Sequence, residues 1–236
     1  MRIFSKILPF ALSVLLTSTA FASSGIYDRD LVRGFLSGKV DYRGMNSTGI
    51  EFINRATGML DVNEYKGNYI GTHIEIGAEY DQLRTWFDIE HMVFHSLFGS
   101  IPSKKGSDDP ATSWYTYGLT WMWGYKLLPT DSKVNIIPAV GPGLELLNVR
   151  TSRFNRVESS LGATLNTELE LRLQFSQFSA GIYGGYKFVR HDGANDDIFP
   201  DGSPYTGDVN SDKAFIGLKL SWTMLNKFQK RERDLQ

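Results

Sequence analysis

Eight stretches of the chain alternate apolar and polar side chains with a period of two. They run over about 31–43, 69–80, 83–94, 113–127, 133–148, 160–175, 178–189 and 213–224. The second shows the pattern plainly. Ile70, Thr72, Ile74, Ile76, Ala78 and Tyr80 fall on one face, and Tyr69, Gly71, His73, Glu75, Gly77 and Glu79 on the other. The sixth repeats it, with Leu161, Ala163, Leu165, Thr167, Leu169, Leu171, Leu173 and Phe175 against Gly162, Thr164, Asn166, Glu168, Glu170, Arg172 and Gln174. Successive side chains of a strand point to opposite faces, so each stretch predicts a long, two-faced β-strand.

Charge sharpens the division. Arg33, Lys39, Arg43, Arg84, Lys126, Arg172, Lys187 and Lys219 share the polar parity with Asp41, Glu75, Glu79, Asp88, Glu90, Glu145, Glu168 and Glu170. No charged residue occupies the apolar parity of these stretches. Alternation alone does not say which face is inside, because a soluble β-sandwich shows the same period with the opposite sense. The connections discriminate. Those near Asp81-Gln82, 128–132 and Ser176-Gln177 are tight, while 44–68, 95–112, 149–159 and 190–212 are long. Short turns at one end and long loops at the other are the habit of barrels in the bacterial outer membrane, whose lipid-facing positions exclude charge. The predicted fold is therefore all-β, a closed antiparallel up-and-down transmembrane barrel of eight strands.

Composition fits an exported envelope protein. Among 236 residues there is no cysteine, which excludes disulfides, thiolate metal sites and a cysteine nucleophile. The net charge of −1 gives no electrostatic footprint for nucleic acid. Arg2 and Lys6, the apolar run at 7–16 and Ala20-Phe21-Ala22 read as a cleaved secretory signal over 1–22. The expected organisation is that signal, a barrel over 23–225, and a charged periplasmic tail over 226–236. The aromatics sort into two expected belts. Tyr80, Tyr125, Phe175, Phe178 and Trp222 mark the periplasmic rim, and Tyr42, Tyr115, Tyr117, Tyr186 and Phe188 the outer rim.

With these segments in place, the chain resembles the small eight-stranded outer-membrane barrels of the OmpA/OmpX type. The resemblance covers about residues 31–224 and is architectural. Phe215-Ile216-Gly217-Leu218-Lys219-Leu220-Ser221-Trp222 is similar to the family's closing strand, which implies the barrel-assembly machinery as a partner during insertion. Outer-membrane lipid and lipopolysaccharide follow as expected surroundings.

Candidate chemistry lies in three places. The lumen charges, led by Arg33, Lys39, Glu75, Arg84, Asp88, Glu90, Glu168, Glu170, Arg172, Lys187 and Lys219, must pair if eight strands enclose them, because an unpaired buried charge is costly. They read as a structural ion network, or alternatively as a narrow ion path. His91, His95 and Ser96 sit near the outer rim, where an acid–base histidine and an activated serine could transfer an acyl group. Residues 91 and 95 of a strand stand about 13 Å apart, however, and His95 and Ser96 point to opposite faces. Interfacial histidines are the plainer reading, and His73 is expected as a hydrogen-bonded interior residue. Among the loops, the carboxylates of Asp192, Asp196, Asp197, Asp201, Asp208 and Asp212 lack calcium-loop spacing and read as a solvated acidic loop. Arg150, Arg153 and Arg156 could meet lipopolysaccharide phosphates. No catalytic residue, cofactor or metal is assigned. The function expected is a non-enzymatic surface protein whose long loops serve envelope integrity or contact a surface ligand, with a small channel or a lipid A-modifying enzyme as alternatives. Pro138 and Pro142, flanked by Gly141 and Gly143, predict a bulge or kink in the fifth strand.

Overall fold

In the computed structural model the described residues are 32–49, 68–93, 113–130, 132–151, 156–191 and 209–224. The predicted signal, the charged tail, His95, Ser96, Arg153 and most of the long loops lie outside them, as do the side chains of Tyr115, Arg150 and Arg156.

Eight long strands form the wall: β1 (Val32–Met45), β2 (Asn68–Tyr80), β3 (Leu83–Val93), β4 (Ser113–Tyr125), β5 (Val134–Thr151), β6 (Arg156–Phe175), β7 (Phe178–His191) and β9 (Lys213–Thr223). A two-residue strand, β8 (Val209–Asn210), pairs with the end of β7. Each long strand neighbours the next, β7 pairs with β9, and β9 pairs back with β1. The sheet is thereby a closed eight-strand up-and-down barrel, in which no long strand keeps a free edge. Gly34–Met224 forms one compact unit.

Alternation is what lets this sequence close. In β1, buried and exposed residues alternate from Phe35 to Gly44's neighbours, with Ser37, Lys39, Asp41 and Arg43 inside and Leu36, Val40 and Tyr42 outside. The outward face is mostly apolar; Leu218 and Leu220 of β9 are 66% and 69% exposed. The two-residue hairpins at Asp81-Gln82 and Ser176-Gln177 each place their first residue in the left-handed region, at φ 50° and 56°. The twist of a tight hairpin demands this conformation. Side chains hold these turns: Thr130 Oγ1 donates to Asp81 Oδ1 at 2.8 Å, and Gln174 Nε2 donates to the Ser176 carbonyl at 2.6 Å.

Three expectations need correction. First, β5 and β6 run on into the predicted 149–159 loop, pairing as far as Thr151↔Arg156. Polar side chains such as Asn148 and Ser159 flank this hairpin, so apolar periodicity does not reveal it; Ser159 Oγ donates to Asn148 Oδ1 at 2.6 Å. Second, the prolines do not bulge β5. Its register with β6 is unbroken over the full strand, and its register with β4 is the same on both sides of Pro142. Both rings point outward. Third, Asp212 does not belong to a solvated acidic loop: its Oδ1 accepts from the backbone N–H of Val189 at 2.9 Å.

Candidate functional site: the charged interior

Eight basic and eight acidic side chains are buried inside the barrel among the described residues: Lys39, Arg43, Arg84, Lys126, Arg172, Lys187, Lys213 and Lys219 against Asp41, Glu75, Glu79, Asp88, Glu90, Glu145, Glu168 and Glu170. Burial of so many charges is tolerable only with close pairing. The pairing is laid out in tiers.

At mid-height, Lys39 of β1 directs its ammonium to Glu75, Asp88 and Glu168 at 3.0, 2.9 and 2.8 Å. These carboxylates come from β2, β3 and β6, so the lysine ties three other walls together. Their oxygens lie within 4.8 Å of one another, a spacing that suits a divalent cation. The Lys39 ammonium stands in that position instead. Lys219 adds a second cation, 2.6 Å from Glu75 and 2.9 Å from Glu170.

Beside this tier His73 bridges two carboxylates, Nδ1 2.8 Å from Asp88 Oδ1 and Nε2 3.0 Å from Asp41 Oδ2. The same Asp41 oxygen accepts from the Tyr183 hydroxyl at 2.9 Å and from Arg43 Nη2 at 2.9 Å. Arg43 Nε donates to the other Asp41 oxygen at 2.7 Å, completing a two-point clamp. Gly71 makes room for this group: a Cβ there would lie 2.9 Å from Arg43 Nε. Towards the loop end Arg43 also meets Glu90 at 2.8 Å, Glu90 meets Lys187 at 2.8 Å, and Lys187 meets Glu145 at 2.8 Å. Lys213 closes this tier on Glu145, with His191 Nε2 3.6 Å from the same carboxylate.

Towards the turn end, Glu79 is ringed by Lys126 at 3.1 Å, Arg172 at 3.7 Å and Arg84 at 3.9 Å. Arg172 and Arg84 reach back to Glu170 at 2.8 and 3.3 Å. Here apolar side chains also point inward. Phe35, Trp86 and Met122 form a buried cluster with Ala139 against it. The Arg84 guanidinium lies 3.6 Å over the Phe35 ring, and the Lys219 ammonium 5.1 Å from the Trp86 ring centroid. Such contacts favour a cation whose hydration has been stripped.

Of the lumen charges expected from the sequence, the structure brings together Lys39, Glu75, Arg84, Asp88, Glu90, Glu168, Glu170, Arg172, Lys187 and Lys219. Arg33 stands apart: it is half-buried at the start of β1 and joins no ion pair among the described residues. Sequence reasoning missed Lys213 and His191. Lys213 shares the parity of Lys219 within the eighth stretch, and His191 continues the alternation of Lys187 and Val189 two residues beyond the seventh. The Phe35–Trp86–Met122 cluster was missed because polar parity was equated with polar residues.

On the outside, Tyr125, Phe175, Phe178 and Trp222 are exposed at the turn end, with Tyr80 half-buried beside them. Tyr42, Tyr117 and Phe188 are exposed nearer the loop end, with Tyr186 half-buried. Outward aromatics also occupy the wall between these sets, where Phe87 stacks on Trp121 with centroids 6.0 Å apart. His91 faces outward and stacks on Tyr117 at 4.9 Å.

No family model matches the chain, and no curated protein matches it. Solved structures similar to it include neisserial surface protein A, with a TM-score of 0.49 and 12% identity over 81% of this chain and 97% of that one. The attachment invasion locus protein Ail of Yersinia pestis gives a TM-score of 0.43 and 9% identity over 82% of this chain and 97% of its own. The same protein in complex with the heparin analogue sucrose octasulfate gives 0.44 and 10% over the same shares.

Proposed function

We propose that this protein is an integral outer-membrane barrel of a double-membraned bacterium. Its interior is filled, and it acts without catalysis through the segments at its loop end. The observation that carries this reading is the inside-out distribution of charge. Among strand residues whose side chains are described, Arg190 is the one charged side chain that points outward. Below it on β7 the outward positions are Phe178, Ala180, Ile182, Gly184, Tyr186 and Phe188. At about 3.4 Å per residue and a tilt of about 40°, that stretch is roughly 26 Å tall, which matches the apolar band of an outer-membrane barrel.

The turn end is then periplasmic and the loop end external. A barrel whose interior is crowded with paired charge leaves the segments at its loop end as the place for contacts with other molecules, and loops on a rigid scaffold are where binding commonly resides. A narrow ion path is the second reading. It is favoured by buried polar atoms of the loop-end half that lack a protein partner, among them Thr164 Oγ1 and Asn166 Oδ1, where water could be held. Fractionation tests location: the protein is expected with the outer membrane, with heat-modifiable gel mobility. Recovery as a soluble monomer without detergent would reject it. Trimming 50–67, 95–112 and 192–208 is expected to leave a foldable barrel and to abolish surface binding or any envelope phenotype. If the phenotype survives trimming but is lost in His91→Ala or Glu168→Gln, the surface-protein reading fails.

A further inference from the structure

The seam between β4 and β5 differs from six other seams of the wall. Pairing runs from Ser113↔Arg150 to Thr120↔Gly143, stops, and resumes at Trp123↔Val140. The registers of β2–β3, β3–β4, β5–β6, β6–β7, β7–β9 and β1–β9 run without such a gap. Pro142 falls in this break, and Pro138 falls where the pairing ends, just after Gly124↔Ala139. Leu127 N–H donates to the Ile136 carbonyl at 2.9 Å, and Gln174 N–H donates to the Lys133 carbonyl at 2.8 Å. Backbone groups of an antiparallel strand alternate between its two neighbours. The even-numbered residues of β5 therefore face β4, and the odd-numbered ones face β6.

Pro138 and Pro142 are both even. Their missing N–H groups fall on the same seam and leave the β6 ladder whole. The carbonyls of Trp121 and Tyr125, which stand opposite, receive no ladder bond from β5. Gly141 faces this gap from inside; a Cβ there would lie 2.7 Å from the Trp121 carbonyl carbon and 2.8 Å from Met122 Cα. In hydrocarbon an unmatched backbone group is expensive, so a wall that concentrates two of them on one seam is locally weak.

What lies behind the gap makes opening cheap. The inward residues beside it are Thr120, Met122 and Gly124 on β4 and Ile137, Ala139, Gly141 and Gly143 on β5. None is charged, and Met122 belongs to the apolar Phe35–Trp86 cluster. Parting the strands here would bring hydrocarbon against Met122 and Ile137, whereas parting β1 from β9 would bring it against Lys39 and Lys219.

We infer that the β4–β5 seam is a built-in point of lateral opening, where the wall parts locally ahead of its other seams and lets membrane hydrocarbon reach the apolar layer around Met122. This rests on the membrane reading above, but its test is independent of location. Amide hydrogen exchange of the full mature protein, followed by NMR in detergent micelles, reads alternate residues of the same strand. The amides of Val140 and Leu144 face β4, and those of Ala139, Gly141 and Gly143 face β6. The β4-facing set, with Trp121 and Trp123 across the seam, is expected to exchange about tenfold faster or more, as sub-global opening does. Pro142→Val, alone and with Pro138→Val, is expected to slow Val140, Trp121 and Trp123 and leave Ala139 unchanged. Equal protection of the two sets in the natural protein overturns the inference, and this comparison stands even if a variant fails to fold. So does a folded double variant whose Val140, Trp121 and Trp123 exchange as fast as before.

Discussion

Lys39 and Lys219 stand directly opposite each other across the β1–β9 seam, both inside the barrel. Like charges so placed repel. Two carboxylates reconcile them. Glu75 offers Oε1 to Lys39 at 3.0 Å and Oε2 to Lys219 at 2.6 Å, and Glu168 offers Oε2 to Lys39 at 2.8 Å and Oε1 to Lys219 at 3.7 Å. The strand that closes the barrel is thus joined to the first strand by charges contributed from β2 and β6.

Removing one carboxylate should therefore cost much more than removing a surface ion pair. Glu75→Ala takes one carboxylate away from two buried ammonium groups at once, leaving Lys39 with Asp88 and Glu168 and Lys219 with Glu170 and Glu168, and a loss of about 3–5 kcal/mol is expected. Equilibrium unfolding by denaturant in detergent or liposomes measures it. Lys39→Met combined with Glu75→Gln is expected to cost less than the sum of the two single changes, because each alone leaves a partner unmatched. Strict additivity would mean that the pair is not coupled.

The Lys39 ammonium fills a cradle of three carboxylates whose oxygens lie within 4.8 Å of one another. Lys39→Ala empties it and leaves excess negative charge that a hard, oxygen-seeking cation would relieve. The variant's unfolding temperature is expected to rise with added Ca²⁺ and fall with a chelator, while the natural protein responds to neither. A folded Lys39→Ala barrel indifferent to Ca²⁺ would contradict this account of the central tier.

A lumen crossed by paired charges and by the Phe35–Trp86–Met122 cluster is expected to pass no steady current. Reconstituted monomer in planar bilayers should show no stable conductance on the nanosiemens scale. Sustained channels of that size would favour the ion-path reading.

The outward face offers a test of the membrane assignment. Leu218 sits between Val40 and Ile182 at mid-wall, while Trp222 lies at the turn-end rim. Leu218→Arg is expected to weaken folding into liposomes by about 2–4 kcal/mol, and Trp222→Arg by less, since the cost of a charge falls towards the interface. Equal, small effects at both depths would fit a water-exposed surface instead.

Much of this architecture was legible in the sequence because two constraints act locally. A strand's side chains alternate, so parity separates the faces residue by residue, and turn lengths alternate, so the two ends of the barrel can be told apart. That is enough for eight strands, for the inward set from Lys39 to Lys219 and for the outward set from Leu36 to Trp222. Parity also holds Lys213, inside the eighth stretch, and His191, two residues beyond the seventh.

Partner choice was decided only by closure. Lys39 and Glu168 are 129 positions apart, and Tyr183 and Asp41 are 142 apart. They meet because the wall curves until its far sides face each other, at heights fixed by register and stagger that no single strand encodes. The same holds for the inward apolar residues. Phe35, Trp86 and Met122 break the polar pattern of three separate strands, and they make sense only when those strands bring them to one level. Pro138 and Pro142 show the limit most directly. The sequence marks a disturbance in β5, but which neighbour loses its hydrogen bonds depends on which way alternate backbone groups point, and that is set by the pairing of β5 between β4 and β6.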